Sequence, residues 1–172
     1  EAFNLIANAS LSNDIKIDLI KCLSSNGGID GMIIGQAIDC YFENQKLELN
    51  QLEFLHIHKT AKLIAASLKM GAIICEYDLQ TQEKLFNFGI NLGLLFQIQD
   101  DIIDETCTSV QAGKTTHNDS SKNSFVNLLG LGGSIKSADD LALKCLETLN
   151  TFDSNLKESL EQLLLEYINR HK

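Results

Sequence analysis

From Leu85 to Ile98 the chain reads LFNFGINLGLLFQI. Wound into a helix, its apolar residues at 85, 86, 88, 90, 92, 94, 95, 96 and 98 cover every side instead of one stripe. A helix of that kind is stable in water only when other helices surround it. The chain also has no proline among its 172 residues, so nothing interrupts long helices. Together these features point to an all-α bundle with this stretch at its centre. The stretch does not read as a membrane span, because Asn87, Asn91 and Gln97 interrupt it before spanning length is reached.

At its C-terminal end the same helix changes character, as Gln97 and Gln99 lead into Asp100, Asp101 and Asp104. On an α-helix Asp100 and Asp104 stack one turn apart with Cβ atoms roughly 5–6 Å from each other, and Asp101 sits beside both. Gln97, one turn earlier, points toward the same mouth. Three carboxylates at the negative end of a helix dipole repel each other and the dipole, so a cation is expected to offset them. Hard carboxylate oxygens favour Mg2+, which keeps several waters and bridges to substrate phosphates. A merely solvated acidic helix end is the plain alternative. A buried apolar helix that ends this way, however, should open into a cleft between its neighbours.

The net charge of −9 leaves no Lys/Arg stripe for a nucleic acid, so an anionic ligand would need a metal or a few placed lysines. Cysteines 22, 40, 75, 107 and 145 are odd in number and form no CxxC pair. That is the pattern of reduced thiols in a cytoplasmic protein, not of a zinc or disulfide framework. No leader opens the chain, and a helical pattern is already under way at Glu1, so the chain is expected to start inside a longer protein.

Local signals divide the remainder. Ser12 or Asn13 caps a helix from Asp14 to about Ser25, which Asn26-Gly27-Gly28 ends with a left-handed glycine. The next helix, from about Asp30 to Glu43, carries Gly31 and Gly35 at i and i+4, a groove for close approach of another helix, with Gln36 and Asp39 sharing a face. Asn50 with Glu53 predicts the start of a long helix to about Ile74. Within it His56 and His58 splay about 200° apart, which argues against a two-histidine metal site. Lys59 and Thr60 offer a positive charge and a hydroxyl to a phosphate. Beyond Asp104 a polar segment contains Gly113-Lys114-Thr115, but Thr108 replaces the earlier glycine of a P-loop and no strand precedes it. Lys114 and Lys122, on either side of Asp119, are instead placed to fold over a bound anion. A short helix from Phe125 to Leu131, ended by Gly132-Gly133, and two amphipathic helices, about Ile135 to Leu149 and Asp153 to Arg170, complete a single domain over 1–172.

In order along the chain, Gly35-Gln36-Ala37-Ile38-Asp39, then His58-Lys59-Thr60, then Phe96-Gln97-Ile98-Gln99-Asp100-Asp101-Ile102-Ile103-Asp104, then Gly113-Lys114 with Asp119 and Lys122, resemble the second half of the trans-prenyltransferases. Within that family the nearest likeness is to the bacterial farnesyl and geranylgeranyl diphosphate synthases. The resemblance implies an isoprenoid-synthase fold, here its C-terminal part: long, mostly antiparallel helices around a central cavity, with two aspartate-rich motifs facing each other across the mouth. It implies that Asp100, Asp101 and Asp104 hold Mg2+, that Lys59, Lys114 and Lys122 grip the allylic diphosphate, and that Thr60 and Gln97 line the allylic tail near the reacting carbon. Gln36 adds a polar contact in the same cavity. Lys59, Thr60, Gln97 and Asp100 then form the catalytic set for condensing isopentenyl diphosphate head-to-tail with an allylic diphosphate, geranyl to farnesyl diphosphate, in an enzyme that is a homodimer at full length.

Some positions depart from the family pattern. Asp119 and Lys122 are closer together than in the family, and Val126 stands where the family has proline. The first aspartate-rich motif, its adjoining arginines and the isopentenyl diphosphate site are not in this chain, whose single arginine is Arg170. These 172 residues alone are therefore expected to make no product, and the uncovered side of the 85–98 helix to expose apolar surface. Two other readings compete. One is a noncatalytic helical subunit or interaction module that keeps the fold. The other is a terpene cyclase, against which the His-Lys-Thr and Gly-Lys elements favour chain elongation.

Overall fold

The computed structural model describes residues 1–43, 45–106 and 123–168, with residues 167 and 168 as backbone only. All regular structure among the described residues is helical. In chain order the helices are α1 (Ala2–Asn8), α2 (Asn13–Gly27), α3 (Met32–Tyr41), α4 (Leu49–His56), a π turn (Ile57–Ala61), α5 (Lys62–Ile74), α6 (Leu79–Thr106), α7 (Phe125–Leu149) and α8 (Ser154–Ile168).

The 28-residue α6 is the axis of the bundle, packed against α5, the π turn and α7. Phe88, Leu92, Leu95 and Ile98 have almost no exposed surface, and with Leu52, Leu55, Phe125 and Leu149 they form the main core. A smaller core of Ile6, Leu19, Cys22, Ala66 and Ile73 joins α1 and α2 to α5. Burying each large apolar side chain stabilises the fold by roughly 1.5–3 kcal/mol. None of the apolar residues between Leu85 and Ile98 is exposed, which corrects the expectation of an uncovered side. The large exposed apolar residues include Phe3, Leu5, Ile17, Ile29 and Ile33 on and between the first three helices, and Leu128, Leu131 and Ile135 on α7. Among the described residues no helix is long and apolar enough to cross a membrane.

Several boundaries differ from the sequence expectation for local reasons. The Ser12 hydroxyl accepts from the Ile15 N–H at 3.3 Å and caps α2 as expected. Gly28, however, lies at φ −84° and ψ −159°, an extended conformation and not a left-handed one. It is glycine for space, since a Cβ there would stand 2.2 Å from the Ser24 carbonyl oxygen. The capping pair of α4 is Glu48 and Gln51, the Glu48 N–H donating to Gln51 Oε1 at 2.9 Å, and not Asn50 with Glu53. The polypeptide then runs helically from Leu49 to Ile74, but Ile57–Ala61 is wound as a π turn, which shifts the register of everything before it relative to α5. In α7 the break falls at Gly130, with φ 70° and ψ 165°, not at Gly132-Gly133. Only glycine adopts that pair of angles without strain.

Candidate functional site

The π turn and the C-terminal third of α6 bring two of the sequence motifs together. Thr60 Oγ1 donates to Gln97 Oε1 across a long 3.5 Å contact. One turn further along α6, Gln97 Nε2 donates to Asp101 Oδ1 at 3.3 Å, and the other Asp101 oxygen accepts the Phe125 N–H at 2.8 Å. This chain of contacts links the π turn, α6 and the start of α7. Asp101 is thereby a joint between helices. Burial pushes its carboxyl up to about 6, with the charges of Asp100 and Asp104 adding to the rise, while the Phe125 N–H and the Gln97 amide oppose it.

Asp100 and Asp104 are half-buried and stack at i and i+4 on α6. Among the described residues no three His, Cys, Asp or Glu side chains converge on a point where a metal ion fits. The donor chemistry nevertheless suits magnesium. That ion commonly takes one or two protein carboxylates and completes its octahedron with water and phosphate oxygens. The fit therefore rests on Asp100 and Asp104, with Asp101 engaged in its two hydrogen bonds.

Lys59, from the same π turn, is paired with a carboxylate of another helix. Its Nζ lies 2.6 Å from Asp39 Oδ2 on α3, in a pair that is one-third exposed. The glycine groove expected on α3 exists at Gly35, where a Cβ would sit 2.2 Å from the Lys59 backbone nitrogen. Gly31 meets the Asn26 backbone instead. Gln36 is exposed, and its amide donates to Cys40 Sγ at 3.3 Å along its own helix. The two histidines of the segment point apart: His58 stacks on Phe54 with ring centres 3.9 Å apart, and His56 lies against the Phe125 ring. His56 is only 5% exposed, and burial, with the nearby Lys59 charge, pushes its imidazole down to about 4 although Asp39 works the other way. Lys114, Asp119 and Lys122 lie outside the described residues.

A cavity of about 300 Å³, lined by Ile38, Phe42, Leu47, Asn50, Gln51 and Phe54, opens between α3 and the start of α4. None of the expected site residues lines it. Asn123, which the sequence did not single out, closes the nearby connection: its amide donates to the carbonyls of Phe42 and Gln45 and accepts the Leu47 N–H at 2.9 Å. Asp39 as the partner of Lys59, and Phe125 as the partner of Asp101, are also contacts that sequence alone did not assign. Sequence carried no local signal for either partner, since Lys59 lies between His58 and Thr60, Asp101 follows Asp100, and Asp39 and Phe125 are distant along the chain.

Known proteins match both the sequence and the fold of the chain. The family model for polyprenyl synthetase matches residues 1–163. A farnesyl diphosphate synthase of Micrococcus luteus is 37% identical over the whole chain, and geranylgeranyl pyrophosphate synthase 4 of Arabidopsis thaliana is 34% identical over 99% of it. The chain spans 60% of the length of the former and 47% of the latter. Among solved structures, a geranyltransferase of Helicobacter pylori complexed with magnesium and isoprenyl diphosphate superposes with a TM-score of 0.86 at 50% identity, over 95% of this chain and 55% of that one.

Proposed function

Because this chain belongs to the polyprenyl synthetase family, we propose that the protein of which these residues form part extends isoprenoid chains, joining isopentenyl diphosphate to geranyl diphosphate to give farnesyl diphosphate. The observation that carries the proposal is the contact chain Thr60–Gln97–Asp101, which gathers the hydroxyl, the amide and the acidic helix end at one place. The farnesyl diphosphate synthase and geranyltransferase relatives support the choice of a C15 product.

In this reading Asp100 and Asp104 hold Mg2+, which when bound supplies Lewis-acid neutralisation of the departing diphosphate. Lys59, and Lys114 and Lys122 from the segment after α6, bind the allylic diphosphate. Asp39 holds the Lys59 ammonium in place through their ion pair. Thr60 and Gln97 present oxygen dipoles toward the allylic carbon as positive charge develops on it. Oriented dipoles of this kind stabilise a charge without reorganising at the moment of reaction. The buried wall of α6 excludes water that would otherwise quench the cation.

The test is incubation of the intact protein with isopentenyl and geranyl diphosphates and magnesium, followed by chain-length analysis of the product. Farnesyl diphosphate is expected, and none from these 172 residues alone, because a single acidic wall holds the diphosphate by too few ligands in a wet cleft. A C20 product would reassign the chain length. Cyclic hydrocarbons, or no condensation by the intact protein, would overturn the proposal.

A further inference from the structure

The π turn Ile57–Ala61 holds both Lys59 and Thr60. A π turn is an α-helix with one residue too many, rare and frequent at functional sites, so what holds it in place matters. Two neighbours hold it here. A Cβ on Gly35 of α3 would lie 2.2 Å from the Lys59 nitrogen and 2.6 Å from its Cα. A Cβ on Gly93 of α6 would lie 2.5 Å from Ala61 Cα and 2.7 Å from its Cβ. Residues 59 and 61, two apart in a helix, face nearly opposite ways. The turn is therefore pressed from two sides by helix backbones at contact distance.

Each of these contacts stands one helical turn from a polar one. Four residues beyond Gly35 comes Asp39, which takes Lys59 Nζ at 2.6 Å, and four beyond Gly93 comes Gln97, which takes Thr60 Oγ1 at 3.5 Å. At the entrance of the turn His56 is 5% exposed with neither ring nitrogen hydrogen-bonded among the described residues. Such a buried group costs stability, and costs of this kind persist where geometry serves a function.

We propose that Gly35 and Gly93 are positioning residues for prenyl transfer: from α3 and α6 they clamp the π turn, so that Lys59 and Thr60 leave it in fixed directions toward the diphosphate and the reacting carbon. This rests on the function proposed above. The glycines touch no substrate and act through the backbone of residues 58–61.

Gly89 provides the control. A Cβ there would meet Ala65 Cα at 2.4 Å, an equally tight backbone contact, but on α5 beyond the π turn. In the intact protein Gly35→Ala and Gly93→Ala are expected to lower kcat per folded molecule by about 10- to 100-fold and to raise KM for the allylic diphosphate, since small misplacements of reacting groups cost that much. Gly89→Ala should lower the melting temperature comparably while leaving both constants within about twofold. Ala61→Gly, which removes one side of the Gly93 contact without a clash, should shift kcat and KM in the same directions and serves if the glycine variants fail to fold. Equal loss of activity per folded molecule in Gly89→Ala, or unchanged constants in Ala61→Gly, would overturn the clamp. Should the wild type transfer no prenyl group, the functional reading fails separately, and amide hydrogen exchange decides instead. Faster exchange at residues 58–61 in Gly35→Ala than in Gly89→Ala keeps the clamp, and equal rates remove it.

Discussion

At the C-terminal end of α6, Asp100, Asp101 and Asp104 crowd negative charge against the negative pole of a helix dipole. At the π turn two helices press glycines onto the backbone, and Lys59 is already paired with Asp39. In the function proposed above, the first region is the one that a cation would relieve. The second is complete without a ligand, its geometry set by steric contact. If that function holds, the difference teaches how such a site divides its labour: charge to be neutralised on binding is left in tension, whereas groups that aim are fixed by packing. Asp101 joins the two regions, because its oxygens hold Gln97 and the start of α7.

The comparison breaks most visibly at the acidic end. Asp100→Asn with Asp104→Asn in the intact protein should lower turnover by about 10²–10³-fold or more, the scale for removing preorganised stabilisation of developing charge. It should also abolish magnesium-dependent binding of inorganic diphosphate by calorimetry. Undiminished binding in the presence of a chelator would mean that the lysines suffice and that the acidic end is not waiting for a cation.

The sequence foretold the two regions unequally, for physical reasons. The central helix and its acidic end were legible because periodicity and helix-dipole electrostatics are properties of consecutive residues. Leu85, Phe88 and Leu95 are buried as the all-round apolar pattern requires. The π turn was not legible: Ile57–Ala61 reads as ordinary helix, and what makes it otherwise is pressure from Gly35 and Gly93, which are distant in sequence. The inward turn of Asp101 was hidden likewise, since its partner is the backbone of Phe125 beyond a long polar segment. Gly35 was half-read: its groove was foreseen, but not that the occupant would be the backbone of Lys59.

A smaller effect should come from the Lys59–Asp39 pair. Lys59→Ala should lower turnover by about 10- to 100-fold, the worth of about 1.5–3 kcal/mol in a charge-assisted hydrogen bond to substrate. Asp39→Asn should change the melting temperature little, because an ion pair one-third exposed contributes on the order of 1 kcal/mol or less. Its effect should fall on KM for the allylic diphosphate. An unaltered rate in Lys59→Ala with a large loss of melting temperature would make this lysine a packing residue, and the π turn would no longer be an aiming device.

The smallest expected effect sharpens the comparison by giving each region its own pH signature. Asp101, at the acidic end, is pushed up from an ordinary 3.8 to about 6, and His56, at the entrance to the π turn, is pushed down from 6.5 to about 4, in both cases chiefly by burial. Between those values the folded protein binds a proton at Asp101 more readily than the unfolded chain does. This group therefore favours folding increasingly as pH falls through 6, and its benefit is lost as pH rises. For His56 the unfolded chain binds the proton more readily, so its contribution is full above 6.5 and is lost as pH falls toward 4. Over about pH 4–6 the two slopes oppose, each near 1.4 kcal/mol per pH unit, and largely cancel. Removing either group should expose the other. In chelator, urea unfolding of His56→Phe should gain stability relative to wild type as pH falls from 6 to 4, by about 2 kcal/mol in total. Asp101→Asn should lose a similar amount over the same range. At pH 7 His56→Phe should be near neutral or stabilising, because it deletes two buried nitrogens that lack partners among the described residues. Parallel stability curves for wild type and both variants would show that neither group is held away from its ordinary titration, and that the two regions do not differ electrostatically in the way their burial implies.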